Sequence, residues 1–176
     1  MVATAPVLWF TGLSGAGKTT IAKEVQNKLQ DKDILVELLD GDEVRCALSP
    51  DLGFSKDDRD LQVKRLAWVA NLLANNGIVV LVSAISPYKE SRERAIKSFA
   101  NGFEIFVDAP LPVLETRDTK GLYRRAKSGE IRNLTGIDDP YDKPDVPDLR
   151  LDTDGVDLSR SVEDVLALLI KEGIDV

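Results

Sequence analysis

A glycine-rich segment near the start of the chain, GLSGAGKT over residues 12–19, matches the pattern G-x-x-x-x-G-K-[ST] at every fixed position. Its glycines let the backbone curl so that successive N–H groups point at phosphate oxygens, and the helix that follows adds the positive end of its dipole. In such a loop Lys18 places a cation between the β- and γ-phosphates, and Thr19 offers a hydroxyl to Mg²⁺. The segment therefore predicts a site for a nucleoside triphosphate and Mg²⁺.

Two carboxylates and an arginine follow the next apolar run: Asp40, Asp42 and, one turn further on, Arg45. A carboxylate near the γ-phosphate and Mg²⁺ can orient or deprotonate an acceptor hydroxyl, while an arginine can hold an anionic acceptor. This layout favours a kinase of small molecules. The chain has no Asn-Lys-x-Asp segment of a switch GTPase, and the apolar run 78–82 does not end in the acidic residue usual in assembly ATPases. The alternative interpretation of residues 40–42 is a β-turn or a helix N-cap.

Short apolar runs alternate with longer segments of helical periodicity, which predicts an α/β fold. We expect a three-layer, doubly wound, mainly parallel sheet of about five strands, covered by helices on both faces. The predicted strands are 7–11, 34–39, 78–83, 103–108 and 149–152, and the predicted helices are 18–30, 56–75, 88–99 and 161–172. Trp9 in the first strand and Trp68 on the apolar stripe of the long helix are expected in the core.

The composition excludes several kinds of chemistry. The chain of 176 residues carries a net charge of −7, has no histidine and has a single cysteine, Cys46, expected to be buried or half-buried. Histidine-dependent nucleophiles, thiolate zinc sites and an intramolecular disulfide are therefore excluded. The negative charge argues against nucleic acid or an anionic membrane as a partner.

The length predicts a single kinase domain over residues 1–176. The N-terminus lacks the pattern of a signal peptide, and the longest apolar run is too short to span a bilayer, so we expect a cytoplasmic protein. Residues 120–147 are polar, carry both charge signs and include three prolines. Such a long connection is either a plain surface loop or, as we expect, a mobile lid whose early basic residues neutralise phosphates when it closes.

Several segments of this chain resemble the adenylylsulfate (APS) kinase family. The similarity extends over residues 7–141, and the matching motifs are GLSGAGKTT at 12–20, LDGD at 39–42 with Arg45, DLGFS at 51–55, Asp58-Arg59, ISPY at 85–88, KGLY at 120–123 and TGID at 135–138. The resemblance implies transfer of a phosphate from ATP to the 3′-hydroxyl of adenosine 5′-phosphosulfate, giving 3′-phosphoadenosine 5′-phosphosulfate and ADP. It also implies a nucleoside-kinase-like fold and a homodimer.

The resemblance assigns roles to individual residues. Asp40 and Asp42 are expected near Mg²⁺ and the acceptor hydroxyl. Arg45 and Arg59 are expected to bind the phosphosulfate. Phe54 is expected to stack on the acceptor adenine, with Lys120 of the lid reaching over it. The expected catalytic residues are Lys18, Asp40, Asp42 and Ser86, and the expected metal ligands are Thr19 and Asp40. The expected ATP-binding residues are Gly12, Leu13, Ser14, Gly15, Ala16, Gly17, Lys18, Thr19, Thr20 and Arg117. The expected acceptor-binding residues are Asp42, Arg45, Phe54, Arg59, Gln62, Ile85, Ser86, Lys120 and Leu134.

Ser86 matches a serine described in bacterial members as a phosphoserine site, although direct transfer from ATP is physically simpler. The alternative is that Ser86-Pro87 only ends a strand and starts a helix.

The chain departs from the family pattern at positions that contact the acceptor. Leu61 and Gln62 replace a Glu-Asn pair, Lys64 replaces an arginine, and Leu134 replaces a phenylalanine. Losing a base–aromatic stack costs about 1–3 kcal/mol of binding free energy. These departures leave open a related kinase that phosphorylates a different nucleotide-like acceptor. An alternative of another class is a regulatory P-loop protein that holds ATP without transferring its phosphate.

Overall fold

The computed structural model describes residues 4–174, in which five parallel strands form one sheet in the order β2-β3-β1-β4-β5. The strands are β1 (Val7–Thr11), β2 (Val36–Asp40), β3 (Val79–Ser83), β4 (Gly102–Asp108) and β5 (Leu149–Asp152). The helices are α1 (Lys18–Gln30), α2 (Gly41–Leu48), α3 (Lys56–Ala74), α4 (Lys89–Lys97), α5 (Leu111–Arg117), α6 (Leu122–Lys127) and α7 (Leu158–Lys171).

The central strands β1 and β3 are buried at every position because helices cover both faces of the sheet. Successive side chains of a strand point to opposite faces. On β1, Leu8 and Phe10 join the cluster formed with α1 and α7, whereas Val7 and Trp9 join the cluster formed with α3 and α4. The three-layer α/β fold expected from the sequence is confirmed, as is the burial of Trp9.

The buried face of the long helix α3 does not include Trp68, which the sequence places on its apolar stripe. Trp68 is 69% exposed, so the expectation that it lies in the core is wrong. Ala67, Ala70 and Ala74 are buried instead, because small side chains let the helix lie close to the sheet. Cys46, expected to be at least half-buried, is also exposed.

Three short helices went unrecognised in the sequence. Helix α2 begins directly at the end of β2, since the Asp40 side chain accepts hydrogen bonds from the backbone N–H groups of Asp42 and Glu43. Helices α5 and α6 have seven and six residues, too few to show a clear helical period. Within residues 4–174, no helix is long and apolar enough to cross a membrane.

The topology brings the predicted functional segments together. In a parallel sheet all the carboxyl ends meet at one edge, and ligands bind where the strand order reverses. The P-loop leaves β1 at this edge, Asp40 ends β2, and residues 84–87 follow β3.

Candidate active site

Residues 12–19 form the phosphate-binding loop, or P-loop, and the ammonium group of Lys18 lies inside its curled backbone. Lys18 is only 8% exposed, and its Nζ donates hydrogen bonds to the carbonyl oxygens of Gly12 at 2.8 Å and Leu13 at 2.9 Å. Burial, reinforced by the nearby charge of Lys120, lowers the pKa of Lys18 to about 8, although Asp42 and Asp40 act in the opposite direction. The site therefore holds a cation that an incoming phosphate would stabilise.

Three oxygen-bearing side chains meet in this region: Thr19 in the first turn of α1, Asp40 at the end of β2 and Ser83 at the end of β3. The Thr19 hydroxyl donates to Asp40 Oδ2 at 2.7 Å and lies 2.9 Å from the hydroxyl of Ser83. Burial alone would raise the pKa of Asp40, but hydrogen bonds from Thr19 and from the first backbone N–H groups of α2 hold it below its usual value. Asp40 is therefore both the helix cap and the ionised carboxylate of the cluster.

This cluster has the chemistry that Mg²⁺ requires, since hydroxyl and carboxylate oxygens are its preferred protein ligands. Residues 4–174 contain no group of three or more acidic, cysteine or histidine side chains placed to hold a metal by themselves. The ligands of Mg²⁺ would thus be Thr19 and Asp40 together with oxygens of the nucleotide. Ser83 was missed in the sequence, where only its position at the end of a buried strand points to it.

Asp42 and Lys120 meet across the mouth of the cleft, where their side chains form an ion pair between α2 and the segment before α6. Both side chains are more than half exposed. The pair therefore contributes little to stability in water, and both groups are free to take new partners when a ligand arrives.

An aromatic ring flanked by two guanidinium groups forms the other half of the cleft. Phe54 is 59% exposed, and the guanidinium carbons of Arg45 and Arg59 lie 4.9 Å and 5.6 Å from its ring centroid. Burial, together with the charge of Arg59, lowers the pKa of Arg45. Two cations held this close repel each other, so an anion between them would be stabilised.

Arg59 also connects two loops by hydrogen bonds. Its Nε donates to the carbonyl oxygen of Phe54 at 3.0 Å, and its Nη2 donates to that of Asn133 at 2.8 Å. Its Nε also lies 3.3 Å from a carboxylate oxygen of Asp139. The arginine therefore joins the loop before α3 to residues 133–139 of the expected lid.

Gln62 lines the same cleft and is 6% exposed. Its amide nitrogen is 3.4 Å from the carbonyl oxygen of Gly41, while its Oε1 has no hydrogen-bond partner among residues 4–174. A buried acceptor without a partner costs free energy, so this oxygen is ready to accept a hydrogen bond from a ligand.

The Ser86 hydroxyl is held by neighbouring groups of the protein. It accepts a hydrogen bond from Trp9 Nε1 at 2.9 Å and lies 3.3 Å from both Thr11 Oγ1 and the carbonyl oxygen of Ala84. The residue is 4% exposed and has a left-handed backbone with φ of 41°. Nucleophilic attack by this hydroxyl would require it to leave these partners.

One cavity of about 320 Å³ joins most of the predicted residues. Its lining includes Ser14, Gly15, Gly17, Lys18, Thr19, Thr20, Asp40, Asp42, Arg45, Phe54, Arg59, Gln62, Ile85, Ser86 and Lys120. The predicted residues outside this lining are Gly12, Leu13, Ala16, Arg117 and Leu134. Leu134 is 8% exposed within the cluster that packs α1 and α7 on the sheet, and Arg117 donates to backbone and side-chain oxygens of Gly15 and Thr153.

A phosphate-binding loop, a hydroxyl–carboxylate cluster and a ring between two guanidinium groups thus share one cleft at the carboxyl edge of a parallel sheet. This combination defines a P-loop kinase. The sequence model of the family described as adenylylsulphate kinase matches residues 4–152. The chain belongs to the adenylylsulfate kinase family.

Individual relatives agree with this assignment. The adenylyl-sulfate kinase of Deinococcus deserti is 53% identical over 169 residues, which is 96% of this chain and 91% of that protein. The Mycobacterium tuberculosis APS kinase, solved in complex with AMPPNP and APS, is 47% identical with a TM-score of 0.92, covering 96% of this chain and 99% of that one. A hexameric APS kinase from Thiobacillus denitrificans is 32% identical with a TM-score of 0.74, covering 98% of this chain and 30% of that one.

Proposed function

We propose that this chain transfers the γ-phosphate of ATP to the 3′-hydroxyl of adenosine 5′-phosphosulfate, forming 3′-phosphoadenosine 5′-phosphosulfate and ADP. The observation that carries the proposal is the shared cavity, in which the P-loop of residues 12–19 faces Phe54 between Arg45 and Arg59. The loop suits the triphosphate, while a ring between two cations suits a second ligand that has both a base and an anionic group.

The transfer follows from the positions of the charged groups. The bond between the acceptor oxygen and the γ-phosphorus forms as the bond to the β–γ bridging oxygen breaks, and negative charge builds on the ADP side. Lys18 stabilises that charge from inside the loop. Asp42 orients the acceptor hydroxyl and takes its proton, once Lys120 exchanges its ion pair with Asp42 for contact with the substrates.

Mg²⁺ bound by Thr19 and Asp40 would neutralise the β- and γ-phosphate oxygens. Ser86 acts in this proposal by shaping the acceptor side of the cleft, because its hydroxyl is already engaged by Trp9. Phosphate therefore passes directly from ATP to the acceptor.

The proposal is tested by measuring ADP release with Mg-ATP and APS, with AMP in place of APS, and without an acceptor, while the phosphorylated product is identified by chromatography. We expect APS-dependent turnover that Asp42→Asn reduces strongly. Asp33→Asn, the same change on an exposed turn outside the cleft lining, should keep the wild-type rate. ADP release that APS does not stimulate would refute the proposal, and wild-type turnover by Asp42→Asn would refute the role of Asp42.

A second candidate is a kinase of the same scaffold for a different nucleotide-like acceptor. It is favoured by Gln62, whose Oε1 has no hydrogen-bond partner within residues 4–174 and extends from a longer side chain than the family asparagine. It is also favoured by Leu134 in place of an aromatic residue. A panel of adenosine nucleotides separates the two candidates, since only the second predicts a better acceptor than APS. The ATP-holding regulatory protein predicts no acceptor-dependent turnover at all.

We further propose that residues 1–176 act as one kinase domain in a homodimer. The apolar stripe of Leu61, Trp68 and Leu72 on α3, which is 39%, 69% and 50% exposed, offers a surface for a second copy, because a large apolar patch favours association. Light scattering of Trp68→Ser should then report a monomer, with Val146→Ser, another exposed apolar residue, as the control. The expected lid movement and cytoplasmic location stay predictions.

A further inference from the structure

The carbonyl groups of residues 12–16 in the P-loop each accept a hydrogen bond from a side chain. Those of Gly12 and Leu13 accept from Lys18. The next three accept from side chains outside the loop: Ser14 from Tyr123 at 2.8 Å, Gly15 from Arg117 at 3.4 Å and Ala16 from Thr153 at 2.9 Å. The loop conformation is therefore fixed partly by residues that are more than a hundred positions away in the sequence.

Tyr123 donates the shortest of these three hydrogen bonds. It lies on α6 at the start of the expected lid and is 2% exposed. Asp118 accepts hydrogen bonds at 3.0 Å from the backbone N–H groups of both Tyr123 and Arg124, which fixes the beginning of the helix. Burial raises the pKa of Tyr123 to about 12, so its hydroxyl keeps its proton and stays a donor at neutral pH.

The hydrogen bond matters because the carbonyl of Ser14 and the N–H of Gly15 belong to the same peptide unit. The two groups point in opposite directions across that unit. When the carbonyl is held by Tyr123, the N–H is directed to the other side, where an anion can accept from it. If the unit turned over, a carbonyl oxygen would face the phosphates and repel them.

We propose that Tyr123 is a positioning residue for the nucleotide: by holding the Ser14 carbonyl it keeps the Gly15 N–H in its phosphate-binding orientation before ATP arrives. Helix α6 then acts as a fixed support of the P-loop, and any lid movement is confined to the residues after it. The inference rests on the nucleotide site of the proposed function and does not depend on which acceptor is phosphorylated.

The test is Tyr123→Phe, which removes one hydroxyl and keeps the ring. The dissociation constant of Mg-AMPPNP is measured by calorimetry, and the KM values of ATP and acceptor are measured separately. Loss of one organising hydrogen bond is expected to raise the dissociation constant and the ATP KM about three- to tenfold, because part of the population no longer has the binding-competent loop. The acceptor KM should stay within twofold of wild type.

Tyr141→Phe is the matched control. Its hydroxyl is 2.9 Å from Thr11 Oγ1 and burial likewise raises its pKa to about 12, but it contacts no P-loop carbonyl. We expect this variant to lose stability while binding Mg-AMPPNP as wild type does. An unchanged dissociation constant in Tyr123→Phe, or the same increase in both variants, would overturn the inference.

A second variant covers the case in which circular dichroism shows Tyr123→Phe to be unfolded. Thr153→Val removes the donor to the Ala16 carbonyl with little change of shape, and the same mechanism predicts a several-fold weaker Mg-AMPPNP complex. Wild-type affinity in Thr153→Val would then contradict it. Absence of APS-dependent turnover in the wild type would count against the proposed reaction only, because nucleotide affinity is measured without an acceptor.

Discussion

Raising the pH from 7 to 9 is expected to weaken ATP binding about tenfold, because the P-loop lysine loses its proton in this range. Burial lowers the pKa of Lys18 to about 8 from an ordinary value of 10.5. Contact with the triphosphate stabilises the protonated form, so the nucleotide selects molecules in which Lys18 is charged. With a pKa of about 8, roughly nine tenths of the free protein is protonated at pH 7 and about one tenth at pH 9.

The same shift has the opposite effect on folding. A lysine whose pKa is lowered in the folded state is protonated more in the unfolded chain between about pH 8 and 10.5. The unfolded state therefore binds more protons in that window, and the contribution of Lys18 to the free energy of unfolding rises with pH. Weaker nucleotide binding at pH 9 is thus not a sign of general unfolding.

Calorimetric titration of Mg-AMPPNP at pH 7 and 9, in buffers of different ionisation enthalpy, measures both affinity and proton uptake. We expect close to one proton to be taken up at pH 9 and about a tenth of one at pH 7. Lys18→Met should bind weakly at both values, with little dependence on pH. A dissociation constant that is constant from pH 7 to 9, or no proton uptake at pH 9, would refute the reasoning.

Three further outcomes can be checked with substitutions. Arg59→Ala should lower the free energy of unfolding by about 3 kcal/mol in urea titrations, because a largely buried ion pair is broken and two part-buried carbonyls lose their donor. It should also raise the acceptor KM, and a selective rise in the ATP KM would contradict its position. Asp40→Asn should keep the α2 cap, with a loss of stability below about 1 kcal/mol. It should nevertheless reduce kcat and raise the Mg²⁺ concentration needed for turnover, and an unchanged Mg²⁺ dependence would contradict its role. Gly12→Ala should fail to give a cooperative thermal transition, because the added Cβ would lie 2.1 Å from the carbonyl oxygen of Val107. Gly129→Ala shares the cost of a left-handed backbone, but its Cβ would meet no atom of the described residues within 4 Å, so it should still melt cooperatively.

The half of the cleft around Phe54 was only partly predictable. The motif around Phe54 and the arginines Arg45 and Arg59 were recognised from a resemblance, and they line the same cavity. Leu134 was expected beside the acceptor base, but its side chain lies in the core outside the cavity lining. A single apolar residue has no local signal that separates a ligand contact from a core contact.

The sequence by itself determined the nucleotide end of this protein. Residues 12–19 are contiguous, so their spacing alone defines the loop, and the alternation of strands and helices defines the layers around it. Asp40 could also be recognised from its neighbours, because a helix cap and a strand end are both local features.

Only the tertiary structure decided which distant groups complete that site. Ser83 joins Thr19 and Asp40 because three parallel strands end at one edge, and Tyr123 reaches Ser14 because α6 packs against the loop. It also decided that Ala67, Ala70 and Ala74, not Trp68, face the sheet. The physical reason is that periodicity and spacing describe neighbours along the chain, whereas these contacts depend on how closely two elements approach each other in space.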